Sequence, residues 1–378
     1  MSGTTGFGIE HLPYGVFSVA GGLRRVGVRL ADGVLDLAEL TDRPEMAASS
    51  LNPLLALGPQ VWRELREQVV ALAESGAPTL PLADVVLHLP VEVADYVDFY
   101  ASEHHATRVG EVFRPDAPAL PRAWKHLPIG YHGRAGTVVV SGTPVVRPSG
   151  VRGPGDVGPS QRLDLEAELG YVVGVPSPQG TPVAAESFAD HVFGVVGLND
   201  WSARDLQAFE TVPLGPFLGK SFATSVSAWV TPLAALDAAW CDLPSQDPRP
   251  ADHLAPDGAR GLDLTVEVEV AGQVVATAPH ASTYWGPAQM LAHLTSNGAS
   301  LRVGDLFASG TISGPGDDER GCLLELTWGG RDPWTGADGR ERTWLEDGDE
   351  VVLRYTAPST SGGTITLGEV RGEVLPAR

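Results

Sequence analysis

The sequence predicts a mainly β protein: a β-rich α+β chain of mostly antiparallel or mixed sheets, with helices at their edges. Two observations carry this. Glycine and proline are abundant, 45 and 31 residues among 378, as suits many turns joining short strands. Period-two alternation recurs along the chain while long helical patterns are few, which excludes a helical bundle. With 43% apolar residues a core is readily supplied, and the length allows two domains.

The elements follow in order. RVGVRLADGVLDL alternates on both sides of Asp32-Gly33 and predicts a hairpin. Pro59 opens a helical stretch in which Val61, Leu65, Val69 and Leu72 form an apolar stripe, with Arg63, Glu64, Arg66 and Glu67 turned to water. These first 90 or so residues read as a small β-rich unit with one helix. Beyond them, TVVVSGTPVVRP predicts a hairpin across Gly142 and DLTVEVEVAGQVVATA another across Gly272. The Gly- and Pro-rich stretches 147–161 and 242–261 are expected to be surface loops. VFGVVGLND reads as a buried strand ending at Asp200, followed by a helix that sets Arg204 and Gln207 on one face. A short helix is expected over Pro287–Thr295, and strands in LRVGDLFASG, CLLELTW and DEVVLRY.

Charge narrows the partners. Against 47 acidic residues stand 26 basic ones, a net −21, which repels nucleic acid and anionic membrane surfaces. Two cysteines, Cys241 and Cys322, make neither a disulfide framework nor a metal-ligand spacing. The opening MSGTTGFGIEHLPYG has no basic region followed by an apolar run, and no stretch is apolar enough to span a bilayer, so a soluble protein of the cytoplasm is expected. Only Lys125 and Lys220 are lysines. A lysine kept against that bias is a candidate for a position needing a compact ammonium, with chance as the alternative.

The clearest chemical signal is RLDLEAELGYVVG. In a strand, Glu166 and Glu168 project from one face roughly 6.5 to 7 Å apart and could hold a cation between them. Glu267 and Glu269 show the same spacing where nothing beyond a solvated face is suggested, so spacing alone does not decide. Asp98, in DYVDFYASEHHA, and Asp200 add carboxylates at strand ends. Such oxygen donors without a His or Cys cluster select a hard cation, Mg²⁺ or Ca²⁺, over zinc. His104 and His105 would point to opposite sides of an extended segment, so at most one would face a pocket. Glu325, among the apolar neighbours of CLLELTW, is costly without a partner. It could orient a histidine base or make a structural hydrogen bond. VPLGPFLGKSF lacks the GxxxxGK[ST] spacing and no GxSxG occurs, so nucleotide binding and serine hydrolysis find no support.

The order of motifs adds to these readings. HLPYGVFS, DYVDFYASEHHATRVGEVFR, HLPIGYHGRAGTVVVSGTP, LDLEAELGYVVG, LNDWSARDLQAFE, VPLGPFLGKSF, QDPRP, SNGASLRVGDLFASGTISGP and LLELTWGG together resemble the fumarylacetoacetate hydrolase family, in its full-length two-domain fumarylacetoacetase type, over nearly the whole chain. The resemblance implies an SH3-like barrel over residues 1–90, a larger mixed β-sandwich roll over 91–378, and a homodimer. The activity it implies is hydrolysis of a carbon–carbon bond in a small diketo dicarboxylic acid, 4-fumarylacetoacetate, giving fumarate and acetoacetate at the end of tyrosine and phenylalanine breakdown.

By the same resemblance Asp98, Glu166, Glu168 and Asp200 are metal ligands, with Lys220 and Thr224 beside the divalent cation. His105 is the general base and Glu325 its orienting acid. Arg204, Gln207 and Lys220 stabilise the oxyanion, while Tyr100, Arg114, Tyr131, Gln207, Thr211 and Thr311 meet the substrate. Thr211 departs from the family, which commonly has tyrosine there. Alternatives are an acylpyruvate hydrolase or β-keto acid decarboxylase of the same superfamily, or a catalytically silent metal-bound scaffold or sensor.

Overall fold

The structure, a computed structural model, describes residues 6–256 and 258–378. β1 (Tyr14–Val19), β2 (Arg25–Leu30) and β3 (Gly33–Asp36) pair antiparallel in sequence order; the expected β2–β3 hairpin forms, but its turn is Ala31-Asp32, one residue before the expected Asp32-Gly33, with Ala31 at φ +51° and Gly33 already paired with Leu30. α1 (Gly58–Glu74) carries Pro59 in its first turn, where a missing amide costs nothing. Its buried side is Trp62, Leu65 and Val69, whereas Val61 and Leu72 are half-buried. The Trp62 indole takes the inner position because its N–H finds the carbonyls of Leu54 and Leu55 there.

Next come β4 (Tyr96–Phe99), α2 (Glu103–Phe113), β5 (Val138–Val140), β6 (Val145–Val146), β7 (Ala167–Val173), β8 (Val192–Asp200), α3 (Arg204–Glu210), β9 (Thr224–Val226) and β10 (Trp229–Pro232). The chain ends with β11 (Thr265–Val270), β12 (Gln273–Pro279), α4 (Pro287–Thr295), β13 (Leu306–Ala308), α5 (Leu323–Leu326), β14 (Glu350–Pro358) and β15 (Val370–Leu375). A large mixed sheet runs β3-β2-β1-β10-β8-β7-β13-β4, and a second runs β12-β11-β14-β15-β6. The fold is thus mainly β with peripheral helices. The amino-terminal strands belong to the large sheet, with Tyr14 of β1 opposite Val230 of β10.

Pleat alternation gives β7 and β8 two faces with different neighbours. One face, with Leu169, Tyr171 and Val195, shares a core with Val266, Val268 and Leu353 of the second sheet. Tyr355 of β14 joins the layers, donating its hydroxyl to the carbonyls of Glu168 and Leu198. Gly197 makes room, since a Cβ there would stand 2.4 Å from the Tyr355 ring. The other face, with Val172, Val196 and Leu198, packs with Val26, Val28 and Leu35 of the amino-terminal strands.

Several expectations are corrected. TVVVSGTPVVRP is no hairpin: β5 runs parallel to β9, while β6 runs parallel to β15 in the other sheet. At Gly142 (φ +90°) the chain crosses between layers, so two sheets satisfy one alternating pattern. CLLELTW is a helical turn, α5, and not a strand. Stretch 147–161 contains an exposed antiparallel pair, Ser149–Gly153 with Asp156–Pro159. Stretch 242–261 is mostly irregular; its residue 257 lies outside the described residues. His104 and His105 sit in the first turn of α2, where neighbours diverge by about 100° and not 180°.

Candidate active site

Strand pairing brings the distant carboxylates to one face. Asp164 lies opposite Ser202 and Ala167 opposite Asn199, so the intervening Glu166 falls opposite Asp200, whose amide donates to the Glu166 carbonyl. Glu168, two residues on, shares that face. Across β13 the row Gly170, Ala308, Asp98 carries the same face to β4. Asp98, Glu166, Glu168 and Asp200 each place a carboxylate oxygen within 4.8 Å of the others, and all four are buried. The solvated face seen at Glu267 and Glu269, which are half-buried and reach Arg354, is not what Glu166 and Glu168 occupy.

Lys220 stands among these carboxylates. Its Nζ donates to Glu166 Oε2 at 2.5 Å and to Asp200 Oδ2 at 2.8 Å, and Thr224 donates to Asp200 Oδ1 at 3.0 Å. The lysine turn lies flush on α3, because a Cβ at Gly219 would come within 2.7 Å of the Gln207 amide nitrogen. α3 in turn brings Arg204, whose Nη1 donates to Gln207 Oε1 at 3.1 Å and whose Nη2 lies 2.7 Å from Glu166 Oε1.

Crowding divides these acids by charge state. Burial, then the charges of Asp200 and Glu166, push the Asp98 carboxyl well above the ordinary range, although Lys220 and the Tyr131 hydroxyl oppose it. Burial and the charges of Asp98, Glu166 and Asp200 do the same to Glu168. For Glu166, burial is outweighed by Lys220 and Arg204, which hold its carboxyl below the ordinary range. Against the lowering by burial, Asp200 and Glu166 keep the Lys220 ammonium protonated. Both oxygens of Glu168 and Oδ1 of Asp98 are buried without a hydrogen-bond partner among the described residues. Unpaired buried carboxylate oxygens facing one another are what a cation would satisfy.

A second cluster faces the same cavity. Ser102 caps α2, its Oγ accepting the His105 amide at 3.2 Å. His105 Nδ1 then meets Glu325 Oε1 at 2.5 Å. Ser313 Oγ also donates to that oxygen at 2.7 Å, and Arg108 Nη1 donates to Oε2 at 3.1 Å. Burial raises the Glu325 carboxyl, but His105, Ser313 and Arg108 outweigh it and hold it at about 2. An ionised Glu325 only accepts, so in the neutral imidazole the proton sits on Nδ1 and Nε2 offers the lone pair.

Between the clusters is a cavity of about 270 Å³, whose lining includes Asp98, His105, Glu166, Arg204, Gln207 and Lys220. Tyr100, Tyr131, Thr211 and Thr311 also line it, whereas Arg114 does not. Arg114 is exposed, with Nη2 donating to the Ala119 carbonyl at 2.8 Å. Tyr131 donates to Asp98 Oδ2 at 2.5 Å, Thr211 donates to the Gln207 carbonyl at 2.5 Å, and the buried Thr311 hydroxyl has no partner. Asp164, Arg108 and Ser313 escaped the sequence reading. Arg108 stands one helical turn from His105 and Ser313 lies inside TISGP, but only the fold joins them to Glu325.

Comparison with known proteins identifies the family. A family model of the fumarylacetoacetate (FAA) hydrolase carboxyl-terminal domain matches residues 95–375, and one of the fumarylacetoacetase amino-terminal domain matches residues 10–90. The fumarylacetoacetase of Caenorhabditis elegans is 42% identical over 98% of this chain and 97% of its own length. That of Homo sapiens is 40% identical over 98% and 96%. Among solved structures, a fumarylacetoacetate hydrolase from Exiguobacterium antarcticum shares the fold, with a TM-score of 0.59 at 20% identity over 97% of this chain and 100% of its own. With both domain models matched in order and such identity along its length, the chain belongs to the fumarylacetoacetate hydrolase family.

Proposed function

We propose that the chain hydrolyses the carbon–carbon bond of 4-fumarylacetoacetate to fumarate and acetoacetate in a cation-dependent reaction, the last step of tyrosine and phenylalanine breakdown. One observation carries this reading: a single cavity is lined by Asp98 and Glu166, two of the four clustered carboxylates able to hold a cation, and by an imidazole whose Nδ1 is fixed by a buried glutamate. The donor set fits a hard divalent cation, Mg²⁺ or Ca²⁺, because its ligands are oxygens and three of those oxygens lack any other partner. Asp98, Glu166, Glu168 and Asp200 would hold the ion, with Lys220 and Thr224 steadying Asp200 and Glu166.

A carbon–carbon bond resists hydrolysis because its leaving group is a carbanion. A bound divalent cation supplies a Lewis acid for the oxygens of a 1,3-diketone, where that charge accumulates. His105, with Nδ1–H held by Glu325, takes a proton from water at Nε2 as the water adds to the carbonyl beside the fumaryl group. Lys220 has three N–H donors and spends two on Glu166 and Asp200, leaving one for the oxyanion. Arg204 and Gln207 complete that donor set, and one such donor is typically worth about 3 kcal/mol.

Tyr100, Tyr131 and Thr311 are assigned to the substrate, Thr311 with a hydroxyl not yet engaged. Thr211 turns its hydroxyl back on Gln207, which favours a contact with the substrate's acidic end through water. Arg114 is assigned to the rim. The reading includes residues 1–90 as an SH3-like domain, of which no described residue lines the cavity, a catalytic domain over 91–378, and a homodimer working in the cytoplasm. Following the absorbance of the conjugated diketone with and without chelator tests the reaction; no loss of absorbance with added Mg²⁺ or Ca²⁺ rules it out.

A further inference from the structure

We propose that Asp164 is a positioning residue for this reaction, its carboxylate fixing both Arg204 and the helical turn that carries Glu325, and thereby holding the oxyanion donors and the base in one frame. The inference rests on the functional reading above.

Asp164 is fully buried and sits one row beyond Glu166 on the carboxylate face. Its Oδ2 accepts Arg204 Nε at 2.8 Å and the Leu324 amide at 3.0 Å. Its Oδ1 accepts the Leu323 amide at 2.7 Å and the Leu165 amide at 2.8 Å. All of its acceptor capacity is therefore used within the protein, and it does not line the cavity.

The two amides of Leu323 and Leu324 are the first of α5, a one-turn helix that its own Cys322 does not cap. A helix start needs acceptors for such amides, and Asp164 supplies them from the strand side. Glu325 is the next residue after them and meets His105. Arg204, which shares Oδ2 with the Leu324 amide, is clamped at Nε, with Nη1 donating to Gln207 and Nη2 standing 2.7 Å from Glu166 Oε1. Charge balance alone does not explain the arrangement, because Glu166 already faces Arg204 at 2.7 Å and a counter-ion needs no backbone amides. The geometry also accounts for CLLELTW being helical where its composition suggests a strand.

Asp164→Asn tests this. The variant keeps the shape but must turn an NH₂ toward two of the four donors. We expect a folded protein with unchanged cation affinity and KM, and a kcat lower by about 10- to 100-fold, the usual effect of a group behind a catalytic one. In an Glu325→Gln background the further loss should be much smaller, because both changes act through one turn. A kcat undiminished per folded molecule, with only thermal stability reduced, overturns the proposal, as do losses that multiply in the double variant. Should Asp164→Asn fail to fold, Asp164→Glu keeps the charge, displaces the carboxylate by a methylene and carries the same readouts. Wild-type protein inactive on 4-fumarylacetoacetate would sink the functional reading instead, a result distinct from these.

Discussion

Replacing Glu168 by methionine should move stability in opposite directions with and without a cation. Both Glu168 oxygens are buried and unpaired, and burial with the charges of Asp98, Glu166 and Asp200 pushes its carboxyl up, so the cation-free protein carries it at a cost. Leaving a buried polar group unsatisfied costs about 1–3 kcal/mol, and an apolar side chain of similar volume removes that cost. Glu168→Met should therefore be more stable than the wild type in chelator by about that amount. In saturating Mg²⁺ or Ca²⁺ the order should reverse. The wild type gains about 4.1 kcal/mol at a thousandfold excess over Kd, more than the variant's advantage in chelator, and the variant, short of one ligand, gains little. Urea melts of both proteins with chelator and with cation, beside a calorimetric cation titration, measure each quantity. A variant less stable than wild type in chelator that keeps its cation-dependent shift would refute the assignment of this face to a cation.

Other outcomes follow from the same geometry. His105→Ala should keep its cation affinity and lose about 10²- to 10⁴-fold in turnover; substantial hydrolysis by the purified variant would remove the base assignment. Lys220→Arg should fold but lose about 10²- to 10³-fold in kcat, because a planar guanidinium cannot replace a compact ammonium between Glu166 and Asp200; near-normal rates contradict this. His11 and His280 are buried, and desolvation lowers them from 6.5 to about 3 and about 4. The unfolded chain binds protons there that the folded one refuses, so their contribution is complete above pH 6.5 and is lost as pH falls toward 4. For His280 it amounts to about 3 kcal/mol, and a His280→Gln protein whose denaturation midpoint falls as steeply as the wild type's between pH 7 and pH 4 would contradict it.

The parts of the fold that were legible are those where one local pattern has one structural answer. The hairpin of β2 with β3, its turn one residue earlier than read, the pair across Gly272, the buried strand to Asp200 and the helix over Pro287–Thr295 all form. Misreadings arose where a distant group decides. β5 and β6 alternate as hairpin strands do, yet each finds its partner far along the chain. Residues 322–328 read as a strand until Asp164 supplies caps for their first amides. The site was legible as an ordered set of motifs and as carboxylates of suitable type, but spacing could not separate Glu166 and Glu168 from Glu267 and Glu269. Register does so, setting Glu166 opposite Asp200, whereas Glu267 and Glu269 lie beside Arg354 at the surface.

The hydrogen bonding of β1 to β10, and the packing of Val26 and Val28 on the rows that end in the carboxylates, bear on how the chain could be shortened. A protein cut near residue 90 would bare a strand margin at Trp229–Pro232 and wet Val172, Val196 and Leu198, an invitation to self-association. The described part of the leading ninety residues thus keeps the strand rows behind the carboxylates dry, and none of it lines the cavity. A miniaturised enzyme on this scaffold would need those valines and leucines repainted as polar side chains before its active centre could be judged.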